Sequence, residues 1–182
     1  MTTAAEALPR RIVLMGVAGS GKSTVGEAFA RQTGTAYKDG DDLHPAANIA
    51  KMSRGEPLTD EDRWPWLTLV GEALAQAETT LTIGCSALKR RYREHIRSKA
   101  GGPVLFVHLA GSRAVIESRM GARTGHFMPT SLLDSQFAAL EPPEADEHAV
   151  TVDIDQPLDT LVAEIIEKLA APALRDAITA TR

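Results

Sequence analysis

The sequence predicts an α/β fold, a parallel sheet covered by helices on both faces, folded as one domain. Three observations predict it. Short apolar runs alternate with amphipathic, helix-spaced stretches along the chain. Gly16-Val17-Ala18-Gly19-Ser20-Gly21-Lys22-Ser23 fits the phosphate-binding pattern G-x-x-x-x-G-K-[ST] and falls between the first apolar run and the first helical stretch. The length of 182 residues, 43% of them hydrophobic, suits one compact domain with an ordinary core.

The elements follow in order. Arg11–Met15 is a short apolar run and reads as a buried strand. After the phosphate loop, Val25, Ala28 and Phe29 recur at helical spacing, and Gly34 supplies a stop. Thr35–Lys38 reads as a second strand, running into Asp39-Gly40-Asp41-Asp42-Leu43-His44-Pro45. Ala46–Met52 reads as a short helix carrying Asn48 and Lys51. Thr59-Asp60-Glu61-Asp62 has the pattern of a capping box and opens a longer helix to about Ala77, whose apolar face is Trp66, Leu67, Val70, Ala73 and Leu74. Pro65 is expected to kink its first turns or reset its start. Thr80–Gly84, Val104–Leu109 and Val150–Ile154 complete five strands. Between the third and fourth strands lies a helix with Tyr92 and Ile96 inward and its basic residues wet. The fourth is followed by a helix capped by Ser112, and by a second helix over Ser131–Leu140. The last strand leads into a helix through Leu158, Leu161, Val162, Ile165, Ile166 and Leu169.

The phosphate loop implies a bound nucleoside triphosphate. Glycines let backbone N–H groups close on the phosphates, and the following helix N-terminus adds partial positive charge. Gly16, Ala18, Gly19, Ser20, Gly21, Lys22, Ser23 and Thr24 form this cradle, with Lys22 on the β- and γ-phosphates and Ser23 a ligand for Mg²⁺. The acids after the second strand lie where open α/β sheets bind ligands. One of them can hold the metal's water shell or take a proton from a hydroxyl. Asp41 is assigned to the hydroxyl and Asp39 to the metal, with Asp42 a third candidate. Lys51, Arg54 and Arg63 form a cationic set suited to a carboxylate or phosphate. Arg119 and Arg123, beside Thr124-Gly125-His126-Phe127-Met128-Pro129, predict a lid over about residues 119–131 that excludes water and supplies charge to the phosphates. His126 reaches either ligand or neither. The loop at Asp155–Pro157, with Gln156, is a candidate adenine contact.

Composition narrows the partners. The net charge is −4 and no long basic block is present, which disfavours nucleic acid. No apolar run reaches the roughly 18 residues that span a bilayer. Met1–Pro9 lacks signal-peptide features, and residues 1–10 read as a flexible tail. Cys85 is the single cysteine, which excludes an intrachain disulfide, fits a cytoplasmic setting and reads as a buried thiol.

Several blocks together resemble one family. They are the phosphate loop; Asp39-Gly40-Asp41-Asp42-Leu43-His44-Pro45 with Asn48, Lys51 and Met52; Gly55-Glu56-Pro57-Leu58; and Asp60-Glu61-Asp62-Arg63 with Pro65-Trp66-Leu67. Cys85-Ser86-Ala87-Leu88-Lys89 with Tyr92-Arg93, Arg119 with Arg123, and Gly125-His126-Phe127 continue the match. Across about Ile12–Leu169 the chain resembles the thermoresistant-type gluconate kinases, within the shikimate and nucleoside-monophosphate kinase-like group. The resemblance implies a P-loop NTPase three-layer α/β/α sandwich with a five-stranded parallel sheet and a lid segment. It implies ATP and Mg²⁺ as cofactors, transfer from ATP to D-gluconate giving 6-phospho-D-gluconate, and a homodimer. On that reading Lys51, Arg54, Arg63, Lys89 and His44 hold the sugar acid, while Lys22 and Arg123 support charge on the transferring group. Another small-molecule kinase, for shikimate or a nucleotide, is the runner-up. A regulatory nucleotide switch is a third reading, disfavoured because no Asn-Lys-x-Asp stretch is present to read guanine.

Overall fold

A computed structural model describes residues 7–121 and 130–180. The elements are β1 (Arg11–Met15), α1 (Lys22–Thr33), β2 (Ala36–Asp39), a 3-10 helix (Gly40–Leu43), α2 (Ala46–Ser53), α3 (Asp60–Gln76) and β3 (Leu81–Gly84). They continue with α4 (Arg90–Lys99), β4 (Leu105–Ala110), α5 (Arg113–Gly121), α6 (Thr130–Ala139), β5 (Ala149–Asp153), α7 (Leu158–Ala170) and α8 (Pro172–Thr179). The five strands form one parallel sheet in the order β2-β3-β1-β4-β5.

Strand alternation divides the core in two. On β1, Ile12 and Leu14 face a cluster with Val25, Phe29, Leu161 and Ile165 of α1 and α7. Val13 and Met15 face the opposite cluster with Trp66, Leu67, Val70 and Ile96 of α3 and α4. Phe106 on β4 joins the second cluster, while Leu105, Val107 and Leu109 join the first. A central parallel strand must be apolar on both faces, so β1 is continuously apolar from Ile12. Because β1 sits in mid-sheet with β3 on one side and β4 on the other, the connections run to opposite sides of it, with the strands all parallel. The crevice at the strands' carboxyl ends opens at that point.

The structure differs from the sequence expectations at specific places. Pro65 does not reset α3. Thr59 caps that helix, accepting from Asp62 N–H (3.2 Å) while Asp62 Oδ2 accepts from Thr59 N–H (2.8 Å), and the helix runs on through the proline. Burial of Trp66, Leu67, Val70 and Leu74 beyond it offsets the lost backbone donor. The strands after β1 begin or end one residue to either side of the expected bounds, β2, β3 and β4 starting one later and β5 one earlier, within the usual uncertainty of element ends. The Asp-Gly-Asp stretch is a 3-10 helix capped by Asp39, and the Ala-rich end forms α8. Arg93, expected among wet basic residues of α4, is 0% exposed. Of the expected tail, residues 1–6 lie outside the described residues, whereas Leu8 packs into the first cluster and Arg10 donates to the Ala77 carbonyl (2.7 Å).

Candidate active site

The site is built on the loop after β1. Gly19 and Gly21 hold φ of 79° and 92°, a left-handed backbone that favours glycine. A Cβ on Gly19 would stand 2.7 Å from Met120 Cγ, so the last turn of α5 is seated directly on the loop. Gly16 N–H donates to the Ser86 carbonyl (3.2 Å), which ties the loop to the end of β3. Helix α1 carries no side-chain cap, in contrast to α3. Its free first-turn N–H groups and dipole therefore point to an anion as the missing cap. Lys22 Nζ donates to the Gly16 and Val17 carbonyls (3.0 and 3.2 Å), folded back over the loop that a phosphate would enter. Burial pushes its pKa down, opposed by Asp41, Cys85 and Asp39.

Ser23 Oγ donates to Asp39 Oδ2 at 3.0 Å. Among the described residues no group of three His, Cys, Asp or Glu side chains could hold a metal by itself. One hydroxyl beside one carboxylate is the donor set Mg²⁺ uses when phosphates and water supply its remaining ligands, so these residues fit that ion.

Asp39 Oδ1 accepts from Asp41 N–H (2.9 Å), the cap of the 3-10 helix. That side chain is 83% exposed to solvent. The surrounding protein, and then the Asp39 carboxylate, still push its pKa above the ordinary carboxylate value. His44 stands beside it, with Nε2 3.9 Å from Asp41 Oδ1. Its ring stacks on Trp66 (4.1 Å between centroids, 18°), and Trp66 Nε1 donates to the Gly40 carbonyl (2.8 Å). Asn48 fixes the tautomer. Its Nδ2 donates to the Asp62 carbonyl (2.9 Å), which can only accept, and lies 3.2 Å from His44 Nδ1. The His44 Nδ1 therefore accepts, and Nε2 carries the proton toward Asp41. Burial, and Arg63 beyond it, push the His44 pKa down against the pull of Asp41, which favours the neutral ring.

A cationic wall continues from His44. Arg63 Nη1 lies 3.6 Å from Asp60 and 3.4 Å from the Tyr92 hydroxyl. Arg63, Lys89 and Arg91 each stand 5.6–5.7 Å from the Tyr92 ring centroid. Tyr92 donates to Asp60 (2.5 Å), which Arg91 also contacts. Of the predicted cationic residues, Arg63 and Lys89 belong to this wall. Lys51 is paired with Asp62 (2.6 Å), and that pairing helps hold the Asp62 carboxyl at about 2. Arg54 turns to Glu56 (2.9 Å) and is 59% exposed.

Arg119 donates to the Ile154 carbonyl, and its guanidinium comes within 3.8 Å of a Cβ built on Gly21, over the loop. Gln156 donates to the Asp153 carbonyl and to Glu164 (2.7 Å each), on the neighbouring turn. Ser23 and Thr24 are exposed at the start of α1, and Ser20 is buried beneath the loop. Arg123 and His126, and with them the core of the predicted lid, lie outside the described residues. Cys85 is buried and its thiol is pushed up to about 12 by burial, which leaves it unreactive.

Sequence reasoning gave no role to three residues that shape this site. Gln136 of α6 accepts the Ala18 N–H on the phosphate loop through Oε1 (2.6 Å). Asn48 sets the His44 tautomer. Arg93 lies under the Cys85–Lys89 loop. Gln136 and Arg93 have no local signature, because their partners are distant in sequence or are backbone atoms; Asn48, four residues after His44, stands at helical spacing from it.

The chain matches the AAA domain family over residues 12–143. It is 51% identical to the thermoresistant gluconokinase of Escherichia coli K12 over 85% of this chain and 90% of that protein. It is 45% identical to the gluconokinase of Gluconobacter oxydans 621H, over 90% and 93%. A crystal structure of a gluconokinase from Sinorhizobium meliloti 1021 superposes with a TM-score of 0.83 at 52% identity, covering 90% of this chain and 93% of that one. A phosphate loop facing an acid–histidine pair and a cationic wall thus sits in a chain that belongs to the gluconokinase family.

Proposed function

We propose that the protein transfers the γ-phosphoryl group of ATP to the 6-hydroxyl of D-gluconate, giving ADP and 6-phospho-D-gluconate. The observation that carries this reading is an unbroken series of neighbouring charged groups: Lys22 senses Asp41, Asp41 stands beside His44, His44 senses Arg63, and Arg63 and Lys89 share the Tyr92 ring. A sugar acid has a carboxylate at one end and a primary hydroxyl at the other. Arg63 and Lys89 suit the carboxylate, and Asp41 suits the hydroxyl.

Asp41 accepts the hydroxyl proton as the oxygen attacks phosphorus. The raised pKa, caused by burial and then by the Asp39 carboxylate, makes it a better base than a free carboxylate. The His44 Nε2–H orients the carboxylate without adding a charge. Lys22 leaves the loop carbonyls for the β- and γ-phosphates, and Arg119 lies at the same end of the loop. Ser23 and Asp39 would hold Mg²⁺, which would supply neutralisation of phosphate charge. Arg123 is assigned to the transferring group, and His126 to a ligand contact. Lys51 acts through Asp62 and the start of α3, and Arg54 reaches acceptor only by leaving Glu56. Gln156 is assigned to the adenine side.

The reading is tested by ADP release with Mg-ATP and D-gluconate, shikimate or nucleoside monophosphates as acceptor. Turnover with gluconate alone supports it. Turnover with shikimate or a nucleotide instead would reassign the acceptor. Hydrolysis indifferent to every acceptor would point to a switch.

A further inference from the structure

Among the described residues, two that are not glycine adopt a left-handed backbone, Ala87 (φ 44°) and His148 (φ 48°). They meet at one buried ion pair. Arg93 is wholly buried, and donates Nε and Nη2 to the two carboxylate oxygens of Glu147 (2.7 and 3.0 Å). Its Nη1 donates to the carbonyls of Ala87 (2.9 Å) and Leu88 (3.2 Å). His148 directly follows Glu147, whose Oε2 also accepts from Glu144 N–H (2.8 Å). Unusual backbone geometry of this kind persists only where the surroundings over-determine it, and it concentrates at functional sites.

The clamped loop has two working ends. At one, the Ser86 carbonyl accepts from Gly16 N–H, the first residue of the phosphate loop (3.2 Å). At the other, Lys89 opens α4 in an extended conformation and extends over the Tyr92 ring in the cationic wall. Ala87 and Leu88 lie outside α4, before its N-cap Lys89, so the helix ladder does not fix their carbonyls. Arg93, at the start of α4, binds both instead. A planar fork pinned on both sides by a bidentate carboxylate is suited to hold that geometry, where a lysine would not be. We infer that Arg93 and Glu147 are positioning residues for the acceptor: they lock the Cys85–Lys89 loop in its strained form, so that Lys89 is aimed at the acceptor carboxylate in register with the phosphate loop. The inference rests on the sugar-acid reading above.

Two variants test it. Ala87→Gly keeps the left-handed φ available without the Cβ penalty and widens the conformations open to the loop, so it loosens Lys89 while the ion pair stays intact. Arg93→Met combined with Glu147→Leu removes both charges together, so neither is stranded in the core. With D-gluconate and Mg-ATP, the acceptor KM is expected to rise about threefold for Ala87→Gly and about tenfold or more for the double variant, as expected when a binding group is displaced by a fraction of an ångström. The KM for ATP should stay within about twofold, because the phosphate loop keeps its own glycines and Lys22. Ala87→Gly should also speed amide exchange at Gly16 with little change in melting temperature. A lowered melting temperature with acceptor KM and Gly16 exchange both unchanged would make the pair a structural strut only and overturn the inference. Wild-type enzyme inactive on gluconate would count against the functional reading instead, and Gly16 exchange in the same variants would then decide the loop question alone.

Discussion

Replacing Asp41 by Asn isolates the acid from the fold. The side chain is 83% exposed and makes no short side-chain hydrogen bond, and the local cap runs from the Asp41 backbone N–H to Asp39, so the substitution leaves the 3-10 helix intact. Stability should therefore stay within about 0.5 kcal/mol, roughly 2 °C in melting temperature for a chain of this size. The sign can be stated as well. Because the folded protein raises the Asp41 pKa, its ionised form is disfavoured by folding, and its contribution to stability falls as pH rises through that value. At pH 7 the variant should be equal to wild type or slightly more stable. The kinetic effect is much larger. A positioned general base contributes about 10²–10⁴ in rate, so kcat should fall by that factor. Affinity for a non-hydrolysable ATP analogue should hold or improve, because a negative charge near Lys22 is gone. Steady-state kinetics with D-gluconate and calorimetric titration of the analogue measure both. A kcat within threefold of wild type would remove Asp41 from the chemistry.

Other outcomes follow from the same geometry. In wild type, the acidic limb of the pH–kcat profile should lie above the usual carboxylate range, since the raised Asp41 must be ionised to act; a limb near pH 4 or below would refute that. Gly19→Ala places a Cβ 2.7 Å from Met120 Cγ on a left-handed backbone, and should cost about 1–2 kcal/mol in thermal unfolding, with weakened nucleotide binding. Glu147→Gln leaves Arg93 without its counter-charge in the core and should destabilise by about 3–5 kcal/mol, far more than a surface carboxylate change. Asp62 is held near 2 chiefly by Lys51 and then Thr59, so its stabilisation is present above the ordinary Asp value and is lost as pH falls toward 2; Asp62→Asn should flatten the pH dependence of melting in that window.

The phosphate loop and the two-faced sheet were legible because their signals are local. The loop pattern occupies eight consecutive residues, Gly34 does end α1 in a left-handed cap, and apolar runs mark the central strands. The 3-10 helix after Asp39 leaves no mark in the sequence, since Asp-Gly-Asp has the composition of a simple turn. Arg93 was misread for a physical reason. Helical spacing put Tyr92 and Ile96 inward, and nothing near Arg93 announces that Glu147, in an acidic loop beyond α6, will neutralise it. The cationic set Lys51, Arg54 and Arg63 is divided by pairing: Lys51 meets Asp62 of the next helix and Arg54 meets Glu56 two residues on, which charge spacing alone does not show. Gln136 carries no signal of its role, since a side chain meeting a backbone N–H on the phosphate loop leaves no pattern. Tertiary pairing is what single-sequence periodicity does not carry.

The central claim is that one crevice joins a nucleotide phosphate to a sugar-acid hydroxyl. The most direct test is ADP formation with Mg-ATP, with D-gluconate and with an equal concentration of the neutral polyol of the same chain length, D-glucitol. The account predicts robust turnover with gluconate and at least about tenfold lower kcat/KM with the polyol, because Arg63 and Lys89 lose the carboxylate they are placed to hold. Equal turnover of the two, or turnover of neither, would contradict it.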